Sequence, residues 1–355
     1  MSRSRLLLIF GGRSSEHDVS LRSATEVLAA VDPQRFETIL LGIHRDGRFC
    51  HGPTQAGIEA TLCAGTILDD PLALLHSCDV VFPLLHGPYG EDGSLQGMLE
   101  VLGLPYVGSG VLASALCMDK AAFKHHLSAP PHPIPVVPGT VVDLHLEAID
   151  AAFVRVLAFV HETLQFPCFI KPANQGSSVG VSRASDPEQL RGALELAARY
   201  DSIILVEQAI DAREIELAVL GDGGPETVVS HAGEISLPEG LWYDFTNKYE
   251  GDVATLSLPA DLTPETLHTL QALALRAFRA TRCHGLARVD FFLDKKTGAP
   301  YLNEINTLPG FTSISMYPKL MRHAGVPYTE LITRLCRLAR QRHQQRNALD
   351  SPHRS

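Results

Sequence analysis

Two carboxylates and an amide stand close together near the C-terminal end of this chain, in Arg288-Val289-Asp290 and in the run Tyr301-Leu302-Asn303-Glu304-Ile305-Asn306-Thr307-Leu308-Pro309-Gly310. Asp290 leads into Phe291-Phe292-Leu293, which reads as a short buried strand. A turn with Lys295, Lys296 and Gly298 follows, then a second strand with Glu304 and Asn306. Residues two apart on a strand face the same side, so Glu304 and Asn306 point together and a hairpin brings Asp290 beside them. Two carboxylates and an amide oxygen form a hard, oxygen-only donor set, suited to Mg²⁺ held jointly with phosphate oxygens. A hairpin with a merely solvated polar face has the same pattern, so these residues alone leave both readings open.

Four other segments could carry chemistry. In Ile170-Lys171-Pro172-Ala173-Asn174-Gln175-Gly176-Ser177-Ser178-Val179-Gly180 a lysine at a strand end precedes a Gly/Ser loop whose N–H groups can cradle phosphates. It is not a Walker A loop, because the lysine comes before the glycines, and a surface loop is the plainer reading. Leu205-Val206-Glu207-Gln208-Ala209-Ile210 can offer backbone groups to an adenine edge. Glu214, seven residues beyond Glu207, can accept from ribose hydroxyls, though an ordinary strand and turn accounts for the same residues. His86-Gly87-Pro88-Tyr89-Gly90-Glu91-Asp92-Gly93 is a shaped loop, and His86 lies outside any H-E-x-x-H pattern, which disfavours zinc hydrolysis. Trp242-Tyr243-Asp244-Phe245-Thr246-Asn247-Lys248-Tyr249 is rich in aromatics, as a patch packed between domains would also be.

These groups need elements to position them. Leu6-Leu7-Leu8-Ile9-Phe10 reads as a buried strand, followed by a loop and a helix from Ser20, as N-cap, to about residue 30. Strands over 37–43 and 80–83 and a helix over 94–102 continue an alternation that implies a parallel sheet with ligand loops at the strand carboxyl ends. Gly11-Gly12 is not G-x-G-x-x-G, so a dinucleotide site is weakly supported. Met118-Asp119-Lys120 opens a helix to residue 127, and the Pro-rich stretch 130–135 is a stiff connector. Beyond it come a helix over 151–164, strands over 167–171 and 203–207, and antiparallel strands over 214–220 and 228–235. A helix over 264–281 has Thr263 as N-cap and Pro264 at its first position. A helix over 331–340 closes the fold, and 341–355 reads as a disordered polar tail.

A chain of 355 residues can bury two or three domain cores. Its net charge of −10 argues against a general nucleic-acid binder or a membrane-surface protein, so a polyanion such as ATP must be met by a local cluster of Lys, Arg and metal. The seven cysteines are scattered, without C-x-x-C spacing, and fit a reducing cytoplasm better than a disulfide framework. The short N-terminal apolar run ends in Gly11-Gly12 and does not read as a signal peptide, and no segment has the length of a membrane span.

Taken in order, Gly11 to Ser20, His86 to Gly93, Met118-Asp119-Lys120, Lys171 to Gly180, Trp242 to Tyr249, Arg288-Val289-Asp290 and Asn303 to Gly310 resemble the motifs of D-alanine–D-alanine ligases over nearly the whole chain. The resemblance implies α/β and α+β architecture. An N-terminal α/β domain with a parallel sheet (1–119) precedes a two-lobed ATP-grasp fold, with a central lobe (120–207), a C-terminal lobe carrying metal and catalytic groups (208–340), and the tail (341–355). It implies ATP-dependent joining of two D-alanines through an acyl phosphate, for peptidoglycan precursors, in a cytoplasmic homodimer.

It also implies roles. Asp290, Glu304 and Asn306 would hold two Mg²⁺ (or Mn²⁺), with Glu304 bridging. Lys120, Lys171 and Lys248 would surround the phosphates. Glu207, Gln208 and Ile210 would frame the adenine, Glu214 the ribose, and Trp242 and Phe292 the apolar walls. Glu16 would take the ammonium of the first D-alanine and His86 would orient that substrate. Arg288 and the Gly310 N–H would stabilise the oxyanion, a role worth roughly 3–4 kcal/mol per donor in such sites. Ser315 would bind the second carboxylate beside Met316, which stands where many relatives have leucine. Ser177 and Tyr249 would link with Glu16 in a network that closes loop 241–252 over the site. Relatives that make D-alanyl-D-lactate often replace the tyrosine at the position of Tyr249, so its retention favours an amine nucleophile. Another ATP-grasp carboxylate–amine ligase, or a nucleotide-binding module without catalysis, remains as an alternative.

Overall fold

A computed structural model describes residues 3–131, 133–176, 179–236 and 255–349. The first sheet holds β1 (Ser4–Gly11), β2 (Phe36–Ile43), β3 (Phe49–Gly52), β4 (Thr66–Leu68) and β5 (Val80–Pro83), in the order β4-β3-β2-β1-β5. Strand β1 lies between β2 and β5 and is parallel to both, and Leu6 to Phe10 are wholly buried because both sheet faces are covered. The expected parallel sheet is in fact mixed, since β3 and β4 run antiparallel at one edge. The reason is local. The link from β2 to β3 is a tight turn closed by His44 N–H to Arg48 O (2.9 Å) with Gly47 at φ +92°, too short for a parallel crossover.

Helix α1 (His17–Ala30) starts three residues before the expected cap. Ser20 instead joins two strand ends: its Oγ accepts from Gly11 N–H (2.7 Å) and donates to Leu84 O (2.6 Å). Helices α2 (Gly57–Ala64), α3 (Leu72–His76), α4 (Ser94–Val101) and α5 (Val111–Met118) complete this part. Helix α6 (Lys120–Ser128) is capped by Asp119, which accepts from Ala121 and Ala122 N–H.

The central sheet, β6 (Gly139–Asp143), β7 (Cys168–Pro172), β8 (Ser182–Ala184) and β9 (Ile203–Gln208), is antiparallel in the order β6-β9-β7-β8. It packs with α7 (Ile149–Phe159), whose continuation Val160–Leu164 is a π turn, and α8 (Pro187–Ala197), capped by Asp186. The third sheet is also antiparallel: β10 (Ala212–Gly221), β11 (Val228–Val229), β12 (Gly233–Ser236), β13 (Thr255–Ser257), β14 (Gly285–Asp294) and β15 (Pro300–Asn306). The strand expected over 228–235 is split, because Ser230 uses its hydroxyl to accept from Ala218 N–H (2.9 Å) between the two pieces. Helix α9 (Pro264–Ala280) has the expected Thr263 cap.

After β15 come α10 (Met316–His323) and α11 (Tyr328–Ala348). The tail expected from residue 341 is therefore helical as far as Ala348. Tertiary contacts explain it: Arg342 lies over the Tyr106 ring (4.2 Å to centroid) and donates to Gly108 O (2.6 Å), and Arg346 pairs with Glu100 (2.8 Å). The last helix thereby folds back on the first sheet, and one apolar core contains both Leu6, Leu8 and Phe82 and Tyr317, Leu320 and Leu335. Among the described residues no helix is long and apolar enough to cross a membrane.

Candidate active site

The site is built on the edge of the third sheet. Arg288 lies opposite Asn306 and Asp290 opposite Glu304, and the register then slips so that Phe291 faces Leu302. The slip leaves Asn303 as the extra residue of a β-bulge, and the bulge explains the burial pattern. Leu302 and Ile305, three apart, both enter the core, while Glu304 and Asn306 lie on the opposite face with Arg288 and Asp290. Without the bulge, strict alternation would place Glu304 on the same face as the wholly buried Leu302.

On that face Asn306 Nδ2 lies 3.0 Å from Asp290 Oδ2 and 3.4 Å from Glu304 Oε1. Arg288 grips Asp290 with two bonds, Nε to Oδ1 (2.8 Å) and Nη2 to Oδ2 (2.6 Å), and its Nε is also 3.2 Å from Glu216 Oε2. Among the described residues no three His, Cys, Asp or Glu side chains form a metal cluster by themselves. The Asn306 amide is the third oxygen-bearing group here, and turning it by half a rotation presents its oxygen in place of its nitrogen. The donor set fits a hard divalent cation that completes its shell with phosphate oxygens.

Glu16 and His86 come from the first domain. Glu16 is buried at the start of α1, packed by two glycines from different parts of the chain. A Cβ at Gly87 (φ +72°) would stand 2.5 Å from Glu16 Oε2, and one at Gly176 would stand 3.2 Å away. The left-handed backbone at Gly87 calls for glycine there, and Gly176 leaves room for the same carboxylate. His86 is buried and uses both ring nitrogens: Nδ1 is 3.0 Å from Leu308 O and Nε2 is 3.0 Å from Ser23 Oγ, which in turn accepts from Phe311 N–H (3.4 Å). Burial holds its pKa below the ordinary histidine value, so the ring is neutral with its proton on Nδ1. His86 therefore holds the 308–311 loop against α1 rather than presenting a free imidazole.

The lysines gather on the opposite wall. Lys120 Nζ donates to Gln175 O (2.7 Å) and stands 3.9 Å from Glu304 Oε2. Lys171 Nζ pairs with Glu207 Oε2 (2.8 Å) and lies 5.8 Å from the centre of the Phe292 ring. Lys124, which the sequence reading passed over, binds Glu207 Oε1 in the same buried group. Burial opposes ionisation of Glu207, but the two ammonium groups outweigh it and hold its pKa below the carboxylate norm. The Glu207 side chain is thus taken up by lysines, leaving its backbone for any contact with a base. Gln208 ends β9, Ile210 leads to β10, and Glu214 on β10 is opposite Phe292.

At the far end, Gly310 packs so closely that a Cβ there would lie 3.1 Å from Ser315 Oγ. Ser315 Oγ is 2.7 Å from Thr312 Oγ1 and accepts from Thr312 N–H (3.2 Å). Met316 is buried, its Sδ 2.6 Å from where a Gly233 Cβ would be. Glu16, His86, Lys120, Arg288, Glu304, Asn306, Gly310, Ser315 and Met316 all line one cavity of about 740 Å³. Ser177, Trp242, Lys248 and Tyr249 lie outside the described residues.

The structure adds groups that the sequence reading missed. Glu216 had a signal, being two residues from Glu214 on the same strand face, and Lys124 had one, being four residues from Lys120 on a helix. Glu91 also lines the cavity and accepts from Gly87 N–H (2.7 Å). Burial first, and the Glu16 charge next, push its pKa up to about 8.

Known proteins resemble this chain over nearly its whole length. Family models described as the N-terminus and C-terminus of D-ala D-ala ligase match residues 5–109 and 133–337. A D-alanine–D-alanine ligase of Thermoanaerobacter sp. is 42% identical, covering 98% of this chain and 99% of the relative. One from Solibacter usitatus is 44% identical over 96% and 97%. The D-alanine-D-alanine ligase structure from Coxiella burnetii superposes with a TM-score of 0.82 at 32% identity, covering 98% of each chain. The VanG D-Ala:D-Ser ligase of Enterococcus faecalis gives 0.83 at 32%, covering 95% of this chain and all of the other. With both halves matched and relatives above 40% identical from end to end, the chain belongs to the D-alanine–D-alanine ligase family.

Proposed function

We propose that this enzyme joins two D-alanines at the cost of ATP, giving D-alanyl-D-alanine, ADP and phosphate for peptidoglycan precursors. The observation that carries the reading is a single cavity with the buried Glu16 carboxylate at one place and Arg288, Glu304 and Asn306 at another. A carboxylate that recognises an ammonium is thereby joined to a face that manages phosphate charge.

The first D-alanine, held by its ammonium at Glu16, attacks the γ-phosphorus of ATP with a carboxylate oxygen. The bond from that phosphorus to the ADP oxygen breaks and an acyl phosphate results. The amine of the second D-alanine, having lost a proton, attacks the acyl carbon, and the C–O bond to phosphate breaks. Such transfer depends on positioning and charge neutralisation more than on covalent catalysis. Asp290, Glu304 and Asn306 would hold Mg²⁺ or Mn²⁺, which supplies neutralisation of the triphosphate charge when bound. Lys120 and Lys171 add positive charge, and Lys248 completes the set in this reading. Gln208, Ile210 and the Glu207 backbone meet the adenine, Glu214 the ribose, and Phe292 and Trp242 the apolar walls. Arg288 and the Gly310 N–H face the developing oxyanion, and Ser315 receives the second carboxylate beside Met316.

In this reading Ser177 and Tyr249 would link with Glu16, and loop 241–252 would exclude water that hydrolyses the acyl phosphate. The retained Lys248-Tyr249 pair favours an amine over D-lactate as second substrate. A cytoplasmic homodimer belongs to the same reading, supported by seven unpaired cysteines and by the family resemblance. The deciding experiment is ADP release and product mass with D-alanine, L-alanine, D-lactate and D-serine in parallel. Dipeptide from D-alanine is expected. Activity that depends on L-alanine would overturn the substrate assignment.

A further inference from the structure

One basic group in the cavity has no task in the reaction above. Arg22 lines the cavity from α1, together with Val19 and Glu26. Positions 19, 22, 23 and 26 are three and four apart and form one stripe of the helix. The stripe faces the loop that follows Leu308: Ser23 Oγ accepts from Phe311 N–H, and Glu26 Oε2 accepts from Ser313 N–H. Arg22 therefore stands one turn before the Glu26–Ser313 contact, at the wall that also carries Thr312, Ile314 and Ser315.

Among the described residues, the other Lys and Arg side chains that line the cavity are engaged. Lys120 is bound to Gln175 O beside Glu304, and Arg288 is held by Asp290 and Glu216. Arg22 is exposed and forms no hydrogen bond or ion pair among the described residues. The same cavity is lined by four carboxylates, Glu16, Glu26, Glu216 and Glu304, and by Glu91, which burial keeps protonated. A substrate carboxylate entering beside them needs a cation, because one hydroxyl offsets little of the cost of removing a carboxylate from water. Ser315 provides only that hydroxyl, and Thr312 already shares it.

We propose that Arg22 is a specificity-determining residue for the amine-donating substrate: its guanidinium receives that substrate's carboxylate beside Ser315 and so favours free amino acids over their amides. The proposal rests on the ligase reading and deepens it. D-Alaninamide, which has the amine but no carboxylate, is the probe. The enzyme is given ATP with D-alanine and D-alaninamide in competition, so that D-alanine fills the first site in both reactions. The ratio of D-alanyl-D-alanine to D-alanyl-D-alaninamide is then read by mass spectrometry. That ratio does not change with the fraction of folded enzyme, so loss of a structural contact would not move it.

Arg22→Gln should lower the ratio about tenfold, the loss of one charge-assisted contact, and Arg22→Lys should restore most of it. The KM for ATP and for the first D-alanine should stay at the wild-type values. A ratio in Arg22→Gln within about twofold of wild type, less than half of one such contact, overturns the proposal, as does an effect confined to the first D-alanine. Wild-type enzyme that releases no ADP with D-alanine overturns the ligase reading itself, a failure visible before any variant is made.

Discussion

His86 Nδ1 donates to the carbonyl of Leu308 at 3.0 Å, across 222 residues of sequence, and this bond fixes the first domain to the loop that carries Gly310. The opposite nitrogen completes the tie through Ser23 to Phe311 N–H. Replacing His86 with Ala leaves a buried carbonyl and a buried hydroxyl unpaired, each costing about 1–3 kcal/mol. It also frees the Gly310 N–H from its position, for which a loss of about a hundredfold in kcat is expected. Steady-state kinetics and thermal melts check both. Normal kcat with a lowered Tm would mean that the tie serves stability alone.

Glu207 is shared by Lys124 and Lys171 with almost no solvent access. Glu207→Ala strands two buried ammonium groups and should destabilise the protein by about 3–5 kcal/mol. Combining Glu207→Leu with Lys124→Met removes a charge of each sign and should recover a large part of that loss. Denaturant unfolding of both variants decides the matter, and a double variant no more stable than Glu207→Ala would contradict it.

Glu304 faces Asp290 across the bulged strand pair. Glu304→Ala should lower turnover by at least about a hundredfold, as loss of a charge-stabilising group does, while nucleotide still binds measurably by calorimetry. Full activity in this variant would remove the metal assignment.

Glu91 gives a pH signature. Its pKa rises on folding from an ordinary 4.5 to about 8, through burial and the neighbouring Glu16. The folded protein therefore holds a proton that the unfolded chain releases above 4.5. The stabilisation is complete below that pH and is lost as the pH rises through about 8. Glu91→Gln cannot titrate, so melts from pH 4.5 to 8.5 should show wild type losing stability relative to the variant and levelling off above about 8. Parallel curves would argue against it.

Cys63 is the exposed thiol, and the other six cysteines are buried, including Cys117 and Cys283 with their sulfurs 3.9 Å apart. Brief native alkylation should modify one thiol per chain, at Cys63. Intact-mass analysis and peptide mapping read the outcome, and rapid labelling at Cys117 would show that the cavity opens.

Much of the site could be read from residue order. The period-two spacing of Glu304 and Asn306, the glycines after His86 and Lys171, and the Thr263-Pro264 helix start are local signals, because each follows from backbone geometry within a few residues. The polar run after residue 340 misled for the opposite reason. Nothing nearby in sequence says that Arg342 and Arg346 fold back onto Tyr106 and Glu100.

The sequence by itself determined which chemical groups the protein owns and which neighbours share a strand face or helix stripe. Tertiary structure alone decided that His86 ties the 308–311 loop to α1 and that Glu207 serves two lysines. It also decided that Arg22 lines the cavity with no hydrogen-bond or ion-pair partner among the described residues. Side-chain partners far apart in the chain are chosen by packing and by the cost of leaving buried polar groups unpaired, and neither is written in local spacing.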